Sequence, residues 1–481
     1  MNSKVITISS ILLLTLVGFP NLVKSADEEP ADNSFDFFSL GSEYWNRMRM
    51  GLAFDVYDDA AFVAETVKKE ENPDVKLNVT ELIKKYGFPV ETHTVYTDDN
   101  YVLTLHRIPF GRKHHPSHAD SLSNNDNNVT SSGTQEAGEK KPIALLHHGL
   151  CSSSVDWIMN TADKALPYML ADAGYDVWMA NARGNRYSKR NIAMTPKKSA
   201  FWDFSWHEIG KYDIPASIDY ILATTGLKEL NYVGHSMGTT AFFVAMSLRP
   251  EYNAKVRKMI ALAPAVHLEG MKSPLRYMAR FGVIEKFIYD LLGNGEILPD
   301  YVLKYMHQFA PSACTESDTF TTEICDNIMY AIGGYNPGQM NETQMPVILA
   351  HAPSTCSTKS AIHFLQSVHS GKFRQYDYGM IGNIQKYGQM NPPIYKLSKV
   401  TAPVSIFWSE NDVLCDPKGV KRLKNELPNC ETSIKINDTQ FTHIDYLYAK
   451  DADKLVYKKV MDLLEQQGTE SKEIKKIDQK D

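Results

Sequence analysis

Gly234-His235-Ser236-Met237-Gly238 is the stretch on which the reading of this chain turns. It has the form G-x-S-x-G, the sharp strand-to-helix turn that exposes a nucleophilic serine. Leu230-Asn231-Tyr232-Val233 before it reads as the end of a short buried strand. Thr239 to Leu248 after it reads as a buried helix, stopped by Arg249-Pro250. A serine in such a turn sits in a strained backbone conformation. The flanking glycines, lacking a Cβ, let strand and helix approach one another closely.

On both sides of the turn the pattern is that of a parallel sheet. Pro142 to His147, Tyr175 to Ala180 and Lys258 to Ala263 are short apolar runs separated by helical stretches at Ala162 to Ala173 and Phe201 to Ile221. Strands that alternate with helices imply a doubly wound α/β sheet, mostly parallel, with helices on both faces. Further upstream, Asn78 to Gly87 reads as a short helix. Val90 to Tyr96 and Tyr101 to Ile108 read as a hairpin around Asp98-Asp99-Asn100. The alternation breaks from about His267 to Tyr395, which is helical, loop-rich and without a clear strand. It resumes at Pro403 to Trp408 and Thr432 to Ile436, followed by an amphipathic helix from about Asp451 to Leu464. An insertion of this kind before the last strands reads as a cap over the sheet's carboxyl edge, where such folds place their sites. The expected organisation is a signal peptide at 1–25, an N-terminal segment at 26–75, a first core part at 76–266 with a polar loop insertion at 111–141, a helical cap at 267–395, a second core part at 396–465 and a charged tail at 466–481.

Bulk properties exclude several classes. The chain has 481 residues, is 43% apolar and carries a formal charge of −6, which is ample for a core and wrong for a nucleic-acid partner. It contains neither a P-loop nor a G-x-G-x-x-G after a strand, and no cofactor or metal is expected. His114, His115 and His118 read as part of a solvated loop rather than a metal site. Lys4, the apolar run from Val5 to Val17 and Val23-Lys24-Ser25 form a secretory signal too short to span a membrane, and no later stretch is long enough. Secretory entry makes the four sequons, at Asn78, Asn128, Asn341 and Asn437, candidate glycosylation sites. Six cysteines are too few to be the scaffold of a chain this long. Cys415 and Cys430, which flank a helical stretch, are a candidate pair.

A serine hydroxyl is a weak nucleophile and needs a base, a carboxylate that orients the base, and donors for the oxyanion. In this fold the chain order is serine, acid, histidine. Of fifteen histidines only His443 lies after the strand that should carry the acid. Past that strand stand Glu410, Asp412 and Asp416. Asp412 falls at the tip of the turn, although spacing alone does not exclude Glu410. The oxyanion donors would be the backbone N–H groups of Met237 and of Leu150 in His148-Gly149-Leu150.

Together these residues resemble the acid lipase family of gastric and lysosomal lipases. The likeness runs from about Asn78 to about Leu464. It includes Tyr86-Gly87-Phe88-Pro89, His106-Arg107-Ile108-Pro109, His148-Gly149-Leu150, Arg183-Gly184-Asn185, Lys211-Tyr212-Asp213, Asn411-Asp412 and His443-Ile444-Asp445. The resemblance implies an α/β-hydrolase core with a lidded cap, hydrolysis of carboxylic esters of neutral lipids at a lipid–water interface, and a secreted or lysosomal enzyme. It implies Ser236 as nucleophile, Asp412 as acid, His443 as base, Leu150 and Met237 as oxyanion donors, and a Cys314–Cys325 disulfide, with Cys151 and Cys356 left free or paired. Two departures stand out: Met237 occupies a position where the family has Gln, and Asn100 one where it has Gly. The competing readings are a general carboxylesterase or transacylase on the same triad, and a non-catalytic lipid-binding protein. The Met-, Tyr- and Phe-rich stretch from about Leu298 to Gly334 has the composition of a lid, with Gly333 and Gly334 as a candidate hinge.

Overall fold

The structure, a computed structural model, describes residues 72–112, 141–273, 275–278, 295–313, 333–334, 336–341 and 343–465. The signal segment, Asn128, Cys314, Cys325 and the charged tail lie outside the described residues, as does most of the stretch read as a lid.

The strands are β1 (Glu91–Tyr96), β2 (Tyr101–Ile108), β3 (Ile143–His147), β4 (Asp176–Met179), β5 (Arg190–Asn191), β6 (Leu230–His235), β7 (Val256–Leu262), β8 (Glu296–Ile297), β9 (Cys356–Ser357), β10 (Val404–Trp408) and β11 (Cys430–Lys435). The main helices are α1 (Val79–Lys85), α2 (Leu166–Asp172), α3 (Ile214–Thr225), α4 (Met237–Leu248), α5 (Asp300–Ala313), α6 (Met345–His351), α7 (Thr358–Ser370), α8 (Gly379–Tyr387) and α9 (Pro417–Glu426). Nine strands form one sheet in the order β1-β2-β4-β3-β6-β7-β10-β11, with β5 paired to β2. From β4 through β11 the neighbours are parallel, while β1, β2 and β5 form an antiparallel margin. At the β1–β2 turn Asn100 takes a left-handed φ of 71°, which Asn tolerates better than most residues.

The apolar runs are continuous because both faces of each central strand are covered. Along β3, Ile143 and Leu145 enter one core and Ala144 and Leu146 the other. Along β7, Met259 and Ala261 face the first core, and Ile260 and Leu262 the second. α4 lies wholly inside the first core, with every residue from Met237 to Ser247 buried, so it shows no polar face.

Several elements depart from the reading of the sequence. The stretch read as one helix at Phe201 to Ile221 is broken. Ser205 accepts from His207 N–H and Glu208 accepts from Ser205 N–H, a capping box that starts a new turn after the 3-10 segment Ser199–Trp202. A π-turn at Ile209–Asp213 then leads into α3. The cap does contain strand: β8 and β9 pair antiparallel, and two-residue strands leave no alternation to read. The proposed Cys415–Cys430 bond is absent, and both thiols are free. α9 stands between them, and its ten residues rise about 15 Å, far beyond disulfide reach. The disulfide among the described residues joins Cys151 to Cys356. No described helix is long and apolar enough to cross a membrane.

Candidate active site

β6 ends at His235, and Ser236 follows with φ 51° and ψ −118°, a strained conformation for a residue with a Cβ. The surroundings enforce it. Ser236 N–H donates to Leu262 O at the end of β7 (3.0 Å), and Tyr232 Oη–H donates to Gly238 O (3.0 Å). A Cβ on Gly234 would lie 2.9 Å from Gly238 C, and one on Gly238 would lie 2.3 Å from His147 O. Backbone occupies that space, so glycine is required at both positions.

His443 Nε2 lies 2.8 Å from Ser236 Oγ, and His443 Nδ1 lies 2.9 Å from Asp412 Oδ2. A carboxylate only accepts, so Nδ1 carries the proton and Nε2 presents its lone pair to the serine hydroxyl. Asp412 is buried just past β10, and its Oδ1 accepts from the N–H groups of Leu414 and Cys415, both at 2.8 Å. Glu410, which spacing left open, sits at the surface and pairs with Lys435 at 2.7 Å. His443 is itself held from three sides. Its N–H donates to Gly333 O (3.0 Å), and its carbonyl accepts from His235 Nε2–H (2.9 Å). Asp445 Oδ2 accepts from Thr442 N–H (2.7 Å) and Asn336 Nδ2 (2.8 Å), closing the loop around it. Gly333 and Gly334, read as a hinge, abut this loop: a Cβ on Gly333 would lie 2.6 Å from Ile444 Cγ2, and Gly334 has φ 97°.

The turn after β3 lies against the serine. A Cβ on Gly149 would lie 3.2 Å from Ser236 Cβ. His148 braces this turn: Nδ1–H donates to Gly149 O (2.8 Å), while Nε2 accepts from Ala182 N–H (3.0 Å) and Asn185 Nδ2 (3.1 Å). Burial pushes the His148 pKa down to about 3, which keeps this donor–acceptor pattern fixed. The support runs deeper. Arg183, next to Ala182, is fully buried, donates through its backbone N–H and Nε to Asp213 (3.0 and 2.8 Å) and pairs with Asp99. Its guanidinium stacks 4.1 Å from the Tyr101 ring centroid. On the other side of the turn, Cys151 is tied to Cys356, and Cys151 O accepts from Ser354 N–H (2.8 Å). Among the described residues neither Leu150 N–H nor Met237 N–H has a hydrogen-bond acceptor. The Met237 side chain is packed into the first core.

The arrangement therefore offers a hydroxyl with a base in hydrogen-bond reach, a carboxylate behind the base, and two uncommitted N–H donors, one directly after the serine and one directly after Gly149, which packs against it. Asp412, Cys415 and His443 also bring three possible metal-ligand atoms within 4.8 Å of one another. Each already has a partner within the protein, and burial raises the Cys415 thiol, whose Sγ–H donates to Ala263 O (3.4 Å). That donor set does not suit a cation. The roles of His235 and His148 were not found in the sequence, because each is defined by a partner far along the chain; Cys151 and Cys356, left free or paired by the sequence, are paired. Of the sequons, Asn437 is exposed, Asn341 is partly buried, and Asn78 caps α1 through Oδ1, leaving Nδ2 clear of the cap.

Comparison with known proteins finds similarity to lipases of the α/β-hydrolase fold. Residues 79–161 match the model of the partial alpha/beta-hydrolase lipase region, and residues 142–289 match that of the alpha/beta hydrolase fold. The chain is 39% identical to Lipase 3 of Drosophila melanogaster over 382 residues, which cover 79% of this chain and 91% of that one. It is 34% identical to the gastric triacylglycerol lipase of Mus musculus, covering 82% of this chain and 93% of the mouse protein. For the human gastric enzyme the values are 33%, 82% and 92%.

Proposed function

Since the chain belongs to the family of α/β-hydrolase lipases that includes the gastric triacylglycerol lipases, we propose that it hydrolyses the carboxylic ester bonds of neutral lipids, triacylglycerols or cholesteryl esters, in the secretory pathway, secreted or lysosomal. The observation that carries this reading is the relay from Asp412 through His443 to Ser236, at 2.9 and 2.8 Å, on a strained strand-to-helix turn. Ser236 Oγ attacks the ester carbonyl carbon as His443 Nε2 takes the hydroxyl proton. The carbonyl oxygen becomes an oxyanion and accepts from Leu150 and Met237 N–H. The tetrahedral intermediate expels the alcohol, which leaves with the proton from His443, and an acyl-Ser236 ester remains. Water, deprotonated by His443, attacks that ester in turn. The fatty acid leaves, and Ser236 regains its proton. Asp412 orients the imidazole and stabilises its cationic form without becoming protonated.

Met237 in place of glutamine is compatible with this role, because the donor is the backbone N–H and the side chain is absorbed into the core. The test is a hydrolysis panel of triacylglycerol emulsion, cholesteryl ester and soluble short-chain esters, with Ser236→Ala as control. Long-chain neutral lipid should be cleaved by the native enzyme, and turnover in the variant should fall about 10⁴-fold or more. Cleavage of short-chain esters alone would reduce the reading to a general carboxylesterase. Equal turnover in Ser236→Ala would remove the mechanism.

A further inference from the structure

Helix α8 is amphipathic in the reverse sense. Its polar residue Asn383 points inward and is buried, while Met380, Ile381 and Ile384 are exposed beside Gln385 and Lys386. Met390 and Ile394, just beyond the helix, are also exposed, and these five side chains keep between 47% and 69% of their surface. With Tyr378 they make six of the nine large exposed hydrophobic residues among those described, so the exposure is concentrated in one stretch rather than scattered.

The stretch is not loosely held. Asn383 Nδ2 donates to Asp377 Oδ1 (2.7 Å) and to Met390 O (2.8 Å), and its Oδ1 accepts from Tyr378 N–H (2.9 Å). Tyr387 Oη–H donates to Tyr376 O (2.8 Å). The polar interior of the turn is thus satisfied, and the fold spends its inward face on hydrogen bonds while presenting carbon to solvent. In an ordinary surface helix the cost of exposing Met and Ile would have turned the apolar face inward.

The helix is also fixed to the edge of the sheet where the candidate site lies. Lys359 Nζ bridges Tyr378 Oη (3.0 Å) and Asp203 Oδ1 (2.7 Å), and Ser357 Oγ–H reaches Trp202 O and Phe204 O (2.8 and 2.7 Å). Residues 199–205 follow β5 in the crossover from β4 to β6, and Tyr101, at the start of β2 beyond the carboxyl end of β4, donates from Oη to Phe201 O. Cys356, one residue before Ser357, is bonded to Cys151 beside the site.

Charge indicates what the face meets. Residues 371–400 carry Lys372, Arg374, Lys386, Lys396 and Lys399 against the single acid Asp377, a local excess of four positive charges in a chain of net charge −6. All four of these lysines are exposed. Resting on the lipase reading, the product of the reaction is a fatty acid, whose carboxylate collects at a lipid–water boundary. An apolar face with a cationic rim matches that boundary in both respects.

We propose that the outward face of α8, formed by Met380, Ile381 and Ile384 with Met390 and Ile394, seats the enzyme on a lipid–water surface bearing fatty carboxylates, the lysine rim meeting the carboxylates.

The experiment is flotation of full-length protein with phosphatidylcholine-coated triolein droplets, with and without oleate, in the Ser236→Ala background so that the surface does not change during the measurement. In Met380→Ser/Ile381→Ser/Ile384→Asn, partitioning should fall about tenfold or more, since even partial burial of three such side chains exceeds one power of ten. Lys372→Gln/Lys386→Gln/Lys396→Gln should lose the increment that oleate adds and little else. In the otherwise native enzyme, both sets should leave turnover of a dissolved short-chain ester unchanged, which excludes misfolding. Partitioning of the apolar triple variant equal to that of the parent overturns the proposal. So does a native dimer that this variant converts to monomer with droplet binding intact, which would assign the face to a second copy of the chain. Droplet binding that depends on α8 in a protein without long-chain activity would sink the lipase reading and leave the docking surface standing.

Discussion

Removing the Cys151–Cys356 bond, as Cys151→Ser/Cys356→Ser, tests stability and chemistry with one change. The bond closes a loop of 205 residues. On the chain-entropy model a loop of that length restricts the unfolded ensemble by about 5 kcal/mol. In the folded state Cys151 O still accepts from Ser354 N–H, so part of the contact survives the substitution. The unfolding midpoint should therefore drop, by roughly 5 °C for a chain of this size. The second effect is local. Cys151 directly follows Leu150, whose N–H is proposed as an oxyanion donor, and His148 holds the turn only on its other side. Loss of a whole oxyanion donor costs about 10²–10³ in kcat, so a loosened one should cost about tenfold, with KM little changed. The assay is kcat and KM on a dissolved ester well below the new midpoint, with circular dichroism to verify folding. A lowered midpoint with native kcat would mean that His148 and its partners position Leu150 alone. A native midpoint and native kcat together would refute the reasoning on both counts.

Three further outcomes follow from the geometry. Asp412→Asn should lower kcat by about 10⁴-fold while Glu410→Gln leaves it within a few-fold, because Asp412 faces His443 and Glu410 pairs with Lys435 at the surface; the reverse ranking in steady-state kinetics would reassign the acid. Met237→Gln buries an amide in an apolar core and should destabilise by about 2 kcal/mol in urea unfolding, with kcat on a dissolved ester within a few-fold, since the donor is backbone. The third concerns pH: burial holds His147, His148 and His235 neutral, with pKa values of about 4, 3 and 3 against 6.5 unfolded, so the unfolded chain takes up protons first as pH falls. Their contribution to stability is complete above about pH 6.5 and is lost below it, at about 1.4 kcal/mol each by pH 5.5, and a midpoint that stays flat between pH 7.5 and 5.5 would contradict it.

Much of this was legible in the sequence because the central strands are buried on both faces. Ile143 to Leu146 and Met259 to Leu262 alternate between two cores, so their apolar runs were visible without any partner. The serine turn was legible for a similar reason, since backbone contacts at Gly234 and Gly238 demand glycine locally. What escaped depends on pairs distant in the chain. The two-residue strands β5, β8 and β9 exist only through their neighbours. No spacing rule links Cys151 to Cys356, whereas the nearer Cys415 and Cys430, read as a pair flanking a helix, are held apart by the length of that helix, α9. α8 was invisible in another way: Met380, Ile381 and Ile384 look like core residues until Asn383 is found to take the inward position.

The histidines around Ser236 divide the labour of the site by their surroundings. His443 alone faces both a carboxylate and the serine, so on the proposed mechanism it alone gains from becoming cationic during acyl transfer. His235 lies 5.0 Å from it, ring to ring, and donates from Nε2 to the carbonyl of His443 itself. A second positive charge at that separation would oppose the imidazolium by about 3 kcal/mol at an effective dielectric constant of 20, roughly two powers of ten in rate. Burial, with the repulsion of His443, keeps His235 neutral down to a pKa of about 3, and burial does the same for His148 in the turn that carries Leu150. The same burial therefore acts in opposite directions as the medium becomes acidic. It takes stability from the folded state, because the unfolded chain protonates first. It also preserves the electrostatics of those molecules that remain folded. Acid inactivation should then follow the loss of folded protein before His235 or His148 acquires a charge.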